Sequence, residues 1–245
     1  MRLRTNLLFL FFFASTLRST AAPSASDFGG TYVMLQEAVS VTTLPVLRDV
    51  VATTRTVALV SLSHHGNRLQ GRGKVCDLSI ESSSKLIKTT FPPAFSRAIP
   101  PLKVDARLAH DSAGIRFQQA ARVVVLGARL KNQERDPLPE RASDPRVFDH
   151  DLDGFPGITV SVSGFVKGDI YLVQRSTSQL LGRRVGQGFS GRLIFANEQK
   201  VLGASNPLLK RNPGAVPDLS KSRFRLEQVP GNYDCEKSLK RARLL

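Results

Sequence analysis

Alternation of apolar and polar positions is the dominant pattern along this chain. In "ITVSVS", Ile158, Val160 and Val162 share one face, and Thr159, Ser161 and Ser163 share the other; a period of two predicts a half-buried strand with the hydroxyl side turned to solvent. "VCDLSIE" repeats the pattern with Cys76, Leu78 and Ile80. Helical periodicity is scarce, and short runs rich in β-branched residues recur between Gly, Asn, Ser and Pro. "TTRTVALVSLS" and "RLQGRGKVCDLSIES" flank "HHGN", where Gly66 and Asn67 supply the turn chemistry of a hairpin. Further strands are expected in "TYVMLQEAVSV", "LKVDARL", "GIRFQQAARVVVLGARL", "GDIYLVQRS", "SGRLIFAN" and "QKVLG". The sum is an all-β chain of about ten short strands, an antiparallel barrel or a sandwich.

Two stretches break the alternation. "TTFPPAFSRAIPPLK" carries Pro92, Pro93, Pro100 and Pro101, which cannot donate to a central ladder, and reads as an extended connection. Residues 131–153, "KNQERDPLPERASDPRVFDHDLD", hold four basic and seven acidic residues and read as an acidic, proline-containing loop. The tail "CEKSLKRARLL" is basic and suits a short helix held down at Cys235.

The first residues change the setting. Arg2 and Arg4 precede the apolar run Leu7–Ala14, and small residues follow around Ala21 and Ala22. That is the layout of a secretory signal peptide, expected to span 1–21 and to leave a single β domain over 22–245. No later run approaches the roughly 20 apolar residues of a membrane-spanning helix, so the expectation is a secreted or periplasmic protein without a transmembrane segment. Loss of Arg2, Arg4 and Arg18 lowers the formal charge from +15 to about +12. Most of the basic residues are arginines, scattered rather than clustered, so they specify no nucleic acid; an anionic surface is the partner such a charge admits. Cys76 and Cys235 form an even pair in an exported chain and are expected to be bridged. The loop closed would hold about 160 residues, for which chain entropy gives at most about 4–5 kcal/mol.

Candidate chemistry concentrates in "DHDLDGFPG". Carboxylates at alternate positions of a tight loop can converge on one point, and a hard cation such as Ca²⁺ takes about six to eight oxygens. Asp149, Asp151 and Asp153 have that spacing, Gly154 permits the sharp turn, and the backbone carbonyl of Phe155 is the natural seventh-position ligand. The alternative is an Asx-rich turn that launches the strand from Ile158. Over these dozen residues the chain resembles the DxDxDG calcium loops of EF-hands, dockerins, thrombospondin type 3 repeats and, since a strand follows, integrin-type propeller repeats above all. It departs from them where a ligating acid is usual, with Gly157 at the ninth position and Val160 at the twelfth. Asp144, Glu140 or water would have to complete the shell.

Other signals are weaker. His64 and His65 are adjacent, so on a strand they point to opposite faces and cannot chelate one metal. His110 and His150 have no cysteine or histidine at metal-ligand spacing. "GQGFSGR" lacks the last glycine of a nucleophile elbow, which leaves Ser190 without that role, and the glycines of "GRRVGQGFSG", Gly186 among them, read as hairpin turns. "GGTYVMLQ" resembles the first strand of lipocalin-like barrels, with Tyr32 in place of their tryptophan; as a whole the chain resembles exported all-β proteins of bacteria. The absence of Trp and the presence of three Tyr count against a sugar-stacking surface. Two functional classes follow: a non-catalytic binding or envelope-associated β protein with a calcium-stabilised loop, or a lipocalin-like carrier of a small apolar ligand. A hydrolase, its site assembled from distant residues, trails both.

Overall fold

The computed structural model describes residues 28–44, 48–211 and 214–245; the expected signal peptide lies outside the described residues. Of the described residues, 60% are strand and 8% helix. In chain order the elements are β1 (Gly30–Leu44), β2 (Arg48–His65), β3 (Arg68–Ser82), β4 (Ile87–Thr90), α1 (Pro93–Ala98), β5 (Leu102–Asp111), β6 (Gly114–Gln119), β7 (Arg122–Leu126), β8 (Ile158–Gly164), β9 (Gly168–Val185), β10 (Gly188–Ala204), β11 (Val216–Pro217), β12 (Arg223–Val229) and α2 (Cys235–Ala242). The strands form one antiparallel sheet of 12, in which β10, β12, β1, β2, β3, β5, β6 and β9 close a ring of eight.

Alternation fills the ring. Tyr32 and Met34 of β1, Ala58 and Val60 of β2, Leu69 of β3, Phe117 of β6, Phe189 of β10, and Phe224 and Leu226 of β12 point inward and are at most 2% exposed. Phe117 lies across the ladder from Gly182, and Phe224 across from Gly191. A Cβ on Gly182 would stand 2.8 Å from the Phe224 ring and 2.3 Å from the Ser190 carbonyl, so glycine there makes room for both phenyl rings. Tyr32 keeps its hydroxyl satisfied by donating to the Phe28 carbonyl at 2.7 Å. Glycine-bearing turns close the hairpins as expected at Gly66 and Gly186, both at positive φ.

Five strands of the ring, β1, β2, β3, β9 and β10, run to 15 residues or more, and the outer face of β1 and β2 is covered by a helix. In "TYVMLQ" Tyr32, Val33, Met34 and Leu35 are all buried, because β1 meets the ring interior on one face and α2 on the other. Asp234 caps α2 by accepting the Lys237 amide at 2.8 Å. The helix lays Leu239 and Ala242 on Val33, Leu35 and Val57, and Cys235 in its first turn is bonded to Cys76 of β3. The proline-rich stretch is not extended throughout. Pro93 opens the short helix α1, a position where the missing amide costs nothing, and Phe95 draws the segment onto Ile158, Val160 and Leu172. Among the described residues no helix is long and apolar enough to cross a membrane.

The disulfide ties a helix to the outside of the ring rather than stitching the ring itself. Replacing Cys76 and Cys235 by alanine is therefore expected to cost about 2–4 kcal/mol and to free α2 first. Hydrogen exchange should accelerate in Cys235–Ala242 while the amides of β1 and β2 stay protected; uniform acceleration would contradict this.

Candidate metal centre

One long edge of β9 is served by three short strands in tandem: β6 opposite Arg183 to Leu181, β7 opposite Ser178 to Gln174, and β8 opposite Leu172 to Gly168. The chain leaves that edge after β7 and returns to it at β8, so residues 127–157 form an excursion whose two ends must touch. Gly127 and Gly157 are those ends. Both adopt positive φ, and a Cβ on Gly127 would lie 2.8 Å from the Gly157 Cα; only glycine suits such a crossing.

The excursion is seated by side chains. Leu138, Leu130 and Val147 pack on Val173 and Leu202 of the long hairpin, Lys200 holds Glu140 at 2.6 Å, and Arg175 reaches the Asp136 carbonyl. His150 links the excursion to α1: its Nδ1 accepts the Gly127 amide at 3.4 Å and its Nε2 lies 3.2 Å from the Ala98 carbonyl. The first geometry requires that Nε2 carry the proton and donate it.

Asp149, Asp151 and Asp153 converge above β8 and β9, with ligand oxygens all within 4.8 Å of one another, a group that could hold a metal ion. Asp149 accepts the Asp153 and Gly154 amides at 3.2 and 2.8 Å, and Asp153 accepts the Phe155 amide at 2.9 Å. These are the Asx-type bonds of a turn. Asp151 differs from its neighbours. It is 5% exposed, its Oδ2 accepts the Thr159 amide at 3.0 Å, and its Oδ1 is buried without a hydrogen-bond partner. Burial raises its pKa above the ordinary carboxylate value, and the charges of Asp153 and Asp149 push it further in the same direction. Leu152, between two of the aspartates, is held in the left-handed region at φ 59°.

Several expectations need correction. Thr159 does not face solvent: it is 5% exposed with its hydroxyl unpartnered, because the excursion folds back over that face of β8. Asp144 and Glu140 do not join the aspartate group. Asp144 is held by Arg146 at 2.7 Å, which lowers its pKa to about 2, and Glu140 is taken by Lys200. The Phe155 ring stacks on Tyr171, with centroids 4.3 Å apart. His150 and Tyr171 frame the centre, and neither is signalled by local spacing. The Tyr171 pKa is raised by burial and by Asp169 and Asp153. Ser190 lies in β10 across from Arg183 and Arg225.

No match to the chain is found among protein-family models, curated proteins or solved structures.

A buried carboxylate with a raised pKa destabilises the folded state once it ionises. With no cation bound, its contribution to stability is fully present below the unfolded-state pKa and is lost as pH rises through the higher folded-state pKa. Asp151→Asn keeps an acceptor for the Thr159 amide and removes the charge. In chelator at neutral pH the variant should melt about 2–4 °C above wild type, equivalent to roughly 1 kcal/mol, and the difference should vanish in acid. A variant less stable than wild type in chelator at neutral pH would refute this account of Asp151.

Proposed function

We infer that the protein is an exported, non-catalytic β protein that works by surface binding, with a calcium ion stabilising the excursion between β7 and β8. The observation that carries the ion is the Asp151 carboxylate, nine-tenths buried among two other carboxylates with an unpartnered oxygen. An ionised group in that setting is costly unless a cation neutralises it. Oxygen-only donors suit a hard cation, and a loop that contributes three carboxylates suits calcium rather than a soft transition metal. Asp149, Asp151 and Asp153 would supply side-chain oxygens and Phe155 its carbonyl; the Thr159 hydroxyl, buried beside Asp151, is a further oxygen at the same place.

The carrier reading is weaker. A carrier stores its ligand inside the ring, and the inward positions here are occupied by Tyr32, Met34, Phe117, Phe189 and Phe224 packed against one another.

An ion bound only by the folded state raises stability with its concentration, by about 2.7 kcal/mol at a hundredfold excess over the dissociation constant. Calcium should raise the melting midpoint of wild type. The double variant Asp151→Asn, Asp153→Asn should lose that dependence while it keeps its fold, because Ile158 and Val160 anchor β8 through the other face. Identical wild-type curves with calcium and with chelator would remove the ion and leave the aspartates as a turn.

A further inference from the structure

We propose that the end of the molecule built around the β8–β9 turn docks on a lipid bilayer with anionic headgroups. Three segments meet there: "SSKLIK" ahead of and within β4, "GFVKG" between β8 and β9, and "SNPLLKR" after β10. They are tied together by the Phe165 amide donating to the Leu86 carbonyl at 2.8 Å and the Asn206 side-chain amide donating to the Lys167 carbonyl at 3.0 Å. The turn presents Phe165 at 90% exposure, with Leu208 at 74% and Leu86 at 55% on the adjoining segments.

Cations surround these side chains. Lys85, Lys88, Lys167, Lys210 and Arg211 are all exposed, and among the described residues none of them has a carboxylate partner. The three segments contain no acid. Asp169, the first carboxylate beyond the turn, accepts the Ser161 hydroxyl at 2.7 Å. By contrast, several cations on the ring wall are paired: Arg183 and Arg116 with Asp111, Arg68 with Asp105, Arg223 with Glu37. Free positive charge and protruding apolar side chains coincide at this end.

A bilayer fits that combination better than a folded partner. Single side chains projecting from turns offer no continuous face for a shape-complementary protein, whereas a fluid interface accepts each separately. Ammonium groups on long stems remain at headgroup level while the apolar side chains enter, and each lysine near an anionic surface contributes about 1 kcal/mol, roughly a fivefold change in partition. The proposal names the partner of the surface-binding reading and rests on it; it does not depend on the calcium loop.

Sedimentation of the purified chain with vesicles tests it, using phosphatidylcholine alone and phosphatidylcholine mixed with phosphatidylglycerol, both in chelator. Wild type should sediment with the mixed vesicles and not with the neutral ones. Lys85→Gln with Lys167→Gln should weaken partition about tenfold or more, and Phe165→Ser with Leu86→Ser and Leu208→Ser should weaken it comparably. Neither set should move the melting midpoint, since the altered side chains are exposed. Arg107→Gln with Arg192→Gln removes the same charge from the ring wall and should leave partition within twofold. Failure of wild type to bind mixed vesicles, wild-type binding by either end variant, or an equal loss in the arginine control would overturn the proposal. The calcium-dependent melting shift is read separately, so failure here leaves that result standing.

Discussion

Pairing along β9 is the constraint on which the rest of the structure depends. A strand of 18 residues cannot leave one edge bare without exposing a row of amides and carbonyls. One partner, β10, covers the first edge along nearly its whole length, while the other edge is divided among β6, β7 and β8. Only the β6 portion belongs to the ring. The division creates the excursion, because a chain that must resume pairing on the same edge has to loop out and come back to the point it left. The glycine contact at 127 and 157 is the local solution, and the aspartates sit just inside it. The aspartate group is thus positioned by the β-ladder, with the loop contributing the carboxylates.

The ring solves its own problem by pattern alone. Its inward residues alternate with outward ones on every strand, and the bulk of Phe117 and Phe224 is balanced by glycine across the ladder rather than by strand separation. The outward face of β1 and β2 would be an apolar stripe in water without α2. A cap at Asp234, an apolar face and a covalent tie at Cys235 bring in the helix that covers it. The basic tail reads differently in this setting: Arg241 pairs with Glu227 of β12, so part of the tail's charge serves docking.

What was legible in the sequence was whatever short-range periodicity decides. The strands, the Gly66 and Gly186 hairpins and the tail helix follow from spacing or from residues within a few positions, and the Cys76–Cys235 bond, 159 positions apart, follows from an even pair of cysteines in a chain read as exported. The short pairings of β4 and β11 did not, since two to four residues carry no period. Nor did the burial of Thr159. Its strand alternates as a half-exposed strand should, but the cover over its hydroxyl face comes from a segment whose path depends on β9 pairing. The "PPAFSRA" helix escaped for a related reason: Phe95 decides it through contact with Ile158 and Leu172, far along the chain. In the centre itself the three aspartates were visible as a motif. Which of them is buried, and which other acids are taken by arginine or lysine, required the fold.

The surplus of positive charge on the chain does not resolve the conflict among those carboxylates. At physiological ionic strength exposed charges are screened beyond about 8 Å, so scattered arginines contribute little to a buried group. The influences that act most strongly on Asp151 are its own desolvation, the Thr159 amide and the two neighbouring aspartates, with no cation among them. Asp149 and Asp153 each have amides to share their charge, whereas Asp151 receives one amide for two oxygens. Neutralisation has to be local, by a proton or by a cation seated among the three carboxylates. The two differ in reach: a proton relieves one carboxylate, while a divalent ion offsets all three and can also draw on the oxygen of Thr159. That is why the same residues that make the loop a liability in isolation form a group that could hold a cation once the fold has brought them together.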